Sequence, residues 1–194
     1  MPGKDPIRHV VLLMLENRSF DQMLGGLKEL FPALEGVDPA KPHANKAPDG
    51  TPYPQRKTEI RRMDLDPKHE RKNVRTQLLH GNAGFVIDFV DAYKSKATPE
   101  RIRGVMGYYE RGTLPALQQL AEHFTVCDHW HASVPGPTWT NRLFALSGTS
   151  LGRVAMPDLL SFEPNLHRYD QDTIFDRLDE RGVSWAVFHG DVPL

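Results

Sequence analysis

With 194 residues and a net charge of −1, the chain suits one domain with a sizeable core, and its balanced charge gives no general pull toward nucleic acid or an anionic membrane. The single cysteine, Cys127, excludes an intrachain disulfide and reads as a buried structural thiol in a reducing compartment. No basic stretch followed by an apolar signal core opens the sequence and no segment reaches the length of a membrane span, so the default expectation is a cytoplasmic protein.

The first element is the uninterrupted apolar run Val10-Val11-Leu12-Leu13-Met14-Leu15. It predicts a strand buried on both faces, the pattern of a central parallel strand in an α/β sheet. Glu16 and Asn17 then fall at its carboxyl end, where open α/β sheets bind their ligands. From Phe20 to Leu30, Phe20, Met23, Leu24 and Leu27 have helical spacing broken by Gly25-Gly26, which predicts a short, loose helix. The stretch from about 32 to 66 holds Pro39, Pro42, Pro48, Pro52 and Pro54, and reads as a long surface excursion without regular ladders. A helix is expected from about Gly84 to Lys96, with Phe85, Phe89 and Tyr93 beside Val86 and Val90. Another is expected from Leu114 to Phe124, with Leu117, Leu120, Ala121 and Phe124 on one face and Pro115 in the first turn.

Residues 124 to 148 read as strand, loop and helix. Pro135-Gly136-Pro137 makes a stiff turn, after which Trp139, Leu143, Phe144 and Leu146 supply an apolar helical face ending near Gly148. Thr138 is thereby placed at a helix N-terminus, where free N–H groups and the helix dipole favour an anion, although an ordinary capping role explains a threonine there too. The last helix, from Asp172 to Gly182, has a capping start and a terminating glycine, and the apolar run Val183 to Phe188 after it predicts a second strand ending at His189. Alternation of strands and helices argues for a sheet covered on both faces.

Glu16, Asn17 and Thr138 form a set of hard oxygen donors, suited to one divalent metal ion. A threonine hydroxyl at a helix N-terminus is placed to attack phosphorus and form a phospho-enzyme that water later hydrolyses. Arg142 or Arg18 could neutralise phosphate oxygens, and each could equally be an ion-pair partner within the fold. The leaving alkoxide needs a proton donor. The candidates are His69, His80, His129, His131 and His189, of which His69 and His189 are carried forward with Thr138 and Arg142 as catalytic. Ser147-Gly148-Thr149-Ser150-Leu151-Gly152 lacks the endings of a phosphate loop and of an esterase elbow, and the common zinc and dinucleotide signatures do not occur.

Arg8 to Gly25 and Ser133 to Phe144 resemble the two signature motifs of the phosphoesterase family that includes bacterial phospholipases C, plant non-specific phospholipases C and single-metal acid phosphatases. Weaker similarity covers Val105 to Tyr109 and Asp172 to Pro193. The resemblance implies an alkaline-phosphatase-like α/β/α sandwich with a mostly parallel sheet. It also implies Glu16 and Asn17 as metal ligands, Thr138 as the metal-bound nucleophile, and a phosphate ester or phospholipid head group as substrate. Gln22 stands where the family usually has histidine, Thr140 where it usually has proline, and His131 where an aromatic residue is more common. Family members are much longer, and their remaining acidic ligands lie beyond the position of Leu194. The chain is therefore read as residues 1–194 of the N-terminal part of one phosphoesterase domain. The alternative is a non-catalytic portion that serves as a binding module. Family members are often exported, so a secreted or periplasmic location stands beside the cytoplasmic default.

Overall fold

The computed structural model describes residues 6–16, 18–156 and 170–189. Among them, helices and short strands combine in an α/β arrangement with eight α-helices and two two-stranded sheets. Helix α1 (Phe20–Met23) starts at Ser19, whose Oγ accepts from the Gln22 N–H at 3.2 Å, and it passes into the 3-10 turn Gly25–Glu29 at the glycine pair. The expected loose helix is thus two short pieces.

The proline-rich stretch is not without ladders. Strands β1 (Ala44–Lys46) and β2 (Pro52–Pro54) form an antiparallel hairpin in which Asn45 faces Tyr53. Bonds from Ala47 N–H to Thr51 O (2.9 Å) and from Gln55 N–H to His43 O (2.8 Å) flank that pair at two-residue intervals. The ladder therefore uses odd-numbered positions, and Pro52 and Pro54 fall where no N–H is required. Pro48-Asp49-Gly50 closes the turn, with Gly50 at φ 87° and the Asp49 carboxylate accepting from the Thr51 N–H. Strand β3 (Arg56–Lys57) then pairs in parallel with β4 (Gly107–Tyr108).

Helices α2 (Arg71–Gln77), α3 (Leu79–Asn82), α4 (Phe85–Tyr93) and α5 (Pro99–Val105) pack around the hairpin. Val86 and Phe89, three apart on α4, are wholly buried with Ile102, Met106, Tyr53 and Ala47. Asn45 ties hairpin to helix: its Oδ1 accepts from the N–H of Phe85 (2.9 Å) and of Val86 (3.4 Å), and its Nδ2 donates to the Asn82 carbonyl (3.2 Å). The α4 N-terminus, which Gly84 cannot cap, is capped from another element. On its other side, buried Asp88 accepts from the amides of Asn73 (2.7 Å) and Gln77 (2.8 Å).

A second, smaller cluster joins Leu27, Leu34 and Ala121 of helix α6 (Pro115–His123). The buried face of α6 differs from the expected one. It carries Gln118 and Ala121, whereas Leu120 and Phe124 are exposed, because the Gln118 side chain bonds to Gly112 N–H (2.7 Å) and Glu110 O (3.0 Å) and turns that face inward. Helix α7 (Thr138–Ser147) ends at Gly148 with φ 70°, as the sequence predicts. Helix α8 (Ile174–Glu180) opens with a capping box between Thr173 and Asp176.

Three expected strands are not formed. Val10 to Leu15 runs without a ladder, with Val10 89% and Leu13 74% exposed, and Phe124 to His129 and Val183 to Phe188 are likewise neither strand nor buried. An apolar run becomes a parallel strand only where a neighbouring strand accepts its hydrogen bonds, and no described residue lies in that position. Cys127 is exposed, contrary to the expectation of a buried thiol. No helix among the described residues is long and apolar enough to cross a membrane.

Candidate active site

The site is built on the loop that enters α7. Asn141, in the first turns of that helix, reaches back along the loop: its Oδ1 accepts from Val134 N–H (3.1 Å), and its Nδ2 donates to the carbonyls of Val134 (3.1 Å), Gly136 (3.3 Å) and Pro137 (3.2 Å). These contacts with the two prolines fix where Thr138 stands. Thr138 is the first residue of α7 and half buried, at the end where an α-helix leaves its first N–H groups without intrahelical partners. Sequence reasoning missed Asn141. Its signal was a poor helix former placed four residues after Pro137, the reach of a side chain back to a turn.

Arg142 is four residues after Thr138 and shares its face of α7. Its guanidinium grips Glu16 through both oxygens, Nε to Oε2 at 3.2 Å and Nη2 to Oε1 at 3.1 Å. Two segments 126 residues apart thus meet at the face bearing Thr138. Asn17 lies outside the described residues. Arg18, the other candidate for phosphate, instead supports the chain locally, donating to Arg61 O (2.9 Å) and Gln22 Oε1 (3.3 Å).

Beyond Glu16 opens a cleft of about 980 Å³, whose lining includes Arg18, Arg62, Asp64, Lys68 and His69. His69 therefore shares a cavity with Glu16, and His189, exposed after α8, is not among the residues lining it. Of the cleft carboxylates, Asp64 is held below the usual range by hydrogen bonds from Arg101. Asp21, one turn into the opening motif, is pushed up by burial, against a hydrogen bond from Gln55 at 2.9 Å. Thr140, in the first turn of α7, is wholly buried, and its Oγ1 has no hydrogen-bond partner.

As a metal site the arrangement is incomplete. Glu16 and Thr138 offer hard oxygen donors, but both carboxylate oxygens are engaged by Arg142, and no group of three or more His, Cys, Asp or Glu side chains among the described residues could hold an ion. The described residues do not, as arranged, fit a bound divalent cation.

A helix N-terminus presenting a hydroxyl beside an arginine-carboxylate pair is an arrangement suited to an anion, and Glu16 of that pair also borders a cleft of mixed charge, with Arg18, Arg62 and Lys68 as well as Asp64 and Asp66 in its lining. A model of the phosphoesterase family matches residues 7–193, and the chain belongs to that family. It is 30% identical over 205 residues to non-specific phospholipase C4 of Arabidopsis thaliana, covering 96% of this chain and 36% of the relative. It is also 30% identical over 194 residues to hemolytic phospholipase C of Pseudomonas aeruginosa, covering 94% of this chain and 25% of the relative. Identity to phospholipase C A of Mycobacterium tuberculosis is 32% over 200 residues, covering 94% of this chain and 37% of the relative. The chain spans about a third of the length of the plant relatives it matches.

Proposed function

We propose that the protein hydrolyses phosphoric ester bonds, as a phospholipase C or an acid phosphatase does, with Thr138 as nucleophile. The observation that carries this reading is the meeting of Glu16 and Arg142 on the face of α7 that begins with Thr138. Family membership and the phospholipase C names of the relatives support the reaction class.

In this mechanism the Thr138 hydroxyl gives up its proton to water as its oxygen attacks phosphorus in line with the ester bond. A P–O bond to threonine forms as the bond to the leaving alkoxide breaks. First-turn N–H groups of α7 face the equatorial oxygens, where negative charge builds. His69, from the cleft, gives a proton to the departing alkoxide, a role worth about 10²–10⁴ in rate for a well-placed histidine. Water then hydrolyses the phosphothreonine. Cationic residues of the cleft receive the phosphate ester or phospholipid head group.

The finer fold reading belongs to the same proposal. In an alkaline-phosphatase-like sandwich, Val10 to Leu15 and Val183 to Phe188, which form no ladder among the described residues, would pair as parallel strands once neighbouring strands stood beside them. Slow amide exchange along Val10 to Leu15 supports this, whereas exchange at the rate of an exposed chain sinks it.

The test of function is turnover of a chromogenic phosphate monoester and of a phosphocholine ester. Thr138→Ala is expected to reduce turnover to background with ligand binding retained, and unchanged turnover in that variant refutes the mechanism. A second reading is a binding module without catalysis, favoured by the absence of a completed cation-ligand cluster among the described residues. It predicts saturable binding of a phosphate ester with no turnover at any metal concentration.

A further inference from the structure

Asn141 spends its amide on the loop that precedes Thr138. Its Oδ1 accepts from Val134 N–H, and the two hydrogens of Nδ2 are shared among the carbonyls of Val134, Gly136 and Pro137, all at 3.1–3.3 Å. One side chain thus matches Val134 at both its N–H and its C=O, as a neighbouring peptide group would. The loop needs such a partner, because Pro135 and Pro137 carry no N–H of their own. Asparagine is a poor helix former, and this clasp accounts for its place three residues after Thr138. Pro137, wholly buried, anchors the chain just before Thr138, and Asn141 ties the turn after it back to the same loop. Thr138 is therefore held from both sides.

We propose that Asn141 is a positioning residue of the phosphoryl transfer, holding the Thr138 hydroxyl in line for attack without touching the substrate. The proposal rests on the phosphoesterase reading. With both Nδ2 hydrogens engaged by carbonyls, Asn141 keeps no donor for an anion, so its effect reaches the reaction only through the backbone that carries Thr138. That effect is large where geometry is strict: a misplacement of about 1 Å at a reacting group costs about 10²-fold in rate. Binding of the phosphate ester, made by other groups, is left as it was.

The test is steady-state turnover of a chromogenic phosphate monoester by the full chain and by Asn141→Ala and Asn141→Asp. Circular dichroism reads the folded fraction at the assay temperature, and rates are expressed per folded molecule. Asn141→Ala is expected to lower kcat about 10–100-fold with KM within about twofold of the wild type. Asn141→Asp keeps the shape and the acceptor for Val134 N–H but sets a carboxylate against three carbonyl oxygens, and is expected to lose at least as much. Hydrogen exchange at the Val134 amide is a readout independent of catalysis, and its protection should fall in Asn141→Ala. Unchanged protection there overturns the clasp. Unchanged kcat per folded molecule in Asn141→Ala overturns the positioning role, as does a rise in KM at constant kcat, which would make Asn141 a substrate contact. If the wild type itself gives no turnover, the phosphoesterase reading fails and the positioning role falls with it. If the wild type turns over and Asn141→Ala matches it, the positioning role alone fails.

Discussion

Replacing Asn45 with alanine should cost the protein about 2–3 kcal/mol, because one buried side chain holds the hairpin to α4. Asn45 is 4% exposed, so water cannot readily take over its contacts. Loss of its Oδ1 leaves the Phe85 N–H without its 2.9 Å acceptor at the start of α4, and loss of its Nδ2 removes the donor to the Asn82 carbonyl. A missing N-cap costs about 1 kcal/mol, and a buried donor left unpaired costs about 1–3 kcal/mol. The two overlap, since the cap bond is the lost acceptor, which gives the range stated. At roughly 2–4 °C per kcal/mol for a chain of this size, Tm should fall by about 5–10 °C. Asn45→Asp separates the contributions: it keeps the acceptor at the positive end of α4 and loses only the donor, so about half the cost should return. Urea unfolding followed by circular dichroism measures both. A loss below about 0.5 kcal/mol in Asn45→Ala, with an unchanged m-value, refutes the cross-element cap.

Thr140→Val should stabilise the fold by about 1 kcal/mol, because a methyl group replaces a wholly buried hydroxyl that has no partner; a lower Tm contradicts this. Gly84→Ala should destabilise by about 2 kcal/mol or more, since its Cβ would stand 1.8 Å from the Thr76 carbonyl oxygen; urea unfolding reads the cost. Burial raises the folded-state pKa of Asp21 above its unfolded value, so its unfavourable contribution is absent at low pH and grows as pH rises through the window above the usual carboxylate value. Asp21→Asn should therefore be more stable than wild type at neutral pH and match it below about pH 3. Asp128 has the opposite sign. The Glu35 N–H at 2.7 Å lowers its folded pKa, so that contact contributes fully above the unfolded pKa and is lost as pH falls through the folded one, and Asp128→Asn should flatten this acid limb.

The helices were legible where two local signals agreed. In α7 a Pro-Gly-Pro entry and Gly148 bracket an apolar period, and in α8 the capping start expected near Asp172 is realised as a capping box between Thr173 and Asp176. The hairpin was not, because five prolines obscured a register that places Pro52 and Pro54 between bonded positions. Apolar runs at Val10 to Leu15 and Val183 to Phe188 show what a segment could bury but not which strands stand beside it, and parallel neighbours are never local in sequence. In α6, hydrophobicity suggested Leu120 and Phe124 as the inward face, whereas the hydrogen bonds of Gln118 set it. Within the site, Glu16, Thr138 and Arg142 were each visible as chemistry-bearing residues. Their pairing was not, since nothing in a strand end or a helix face specifies a partner 126 residues away.

The most direct measurement is an acid-quenched reaction of the protein with a phosphate monoester, followed by peptide mass analysis of the segment carrying Thr138. The account predicts one phosphoryl group on Thr138, formed before free phosphate is released and absent from Thr138→Ala. Turnover that proceeds in Thr138→Ala, or a phosphoryl group found on another residue, would contradict it.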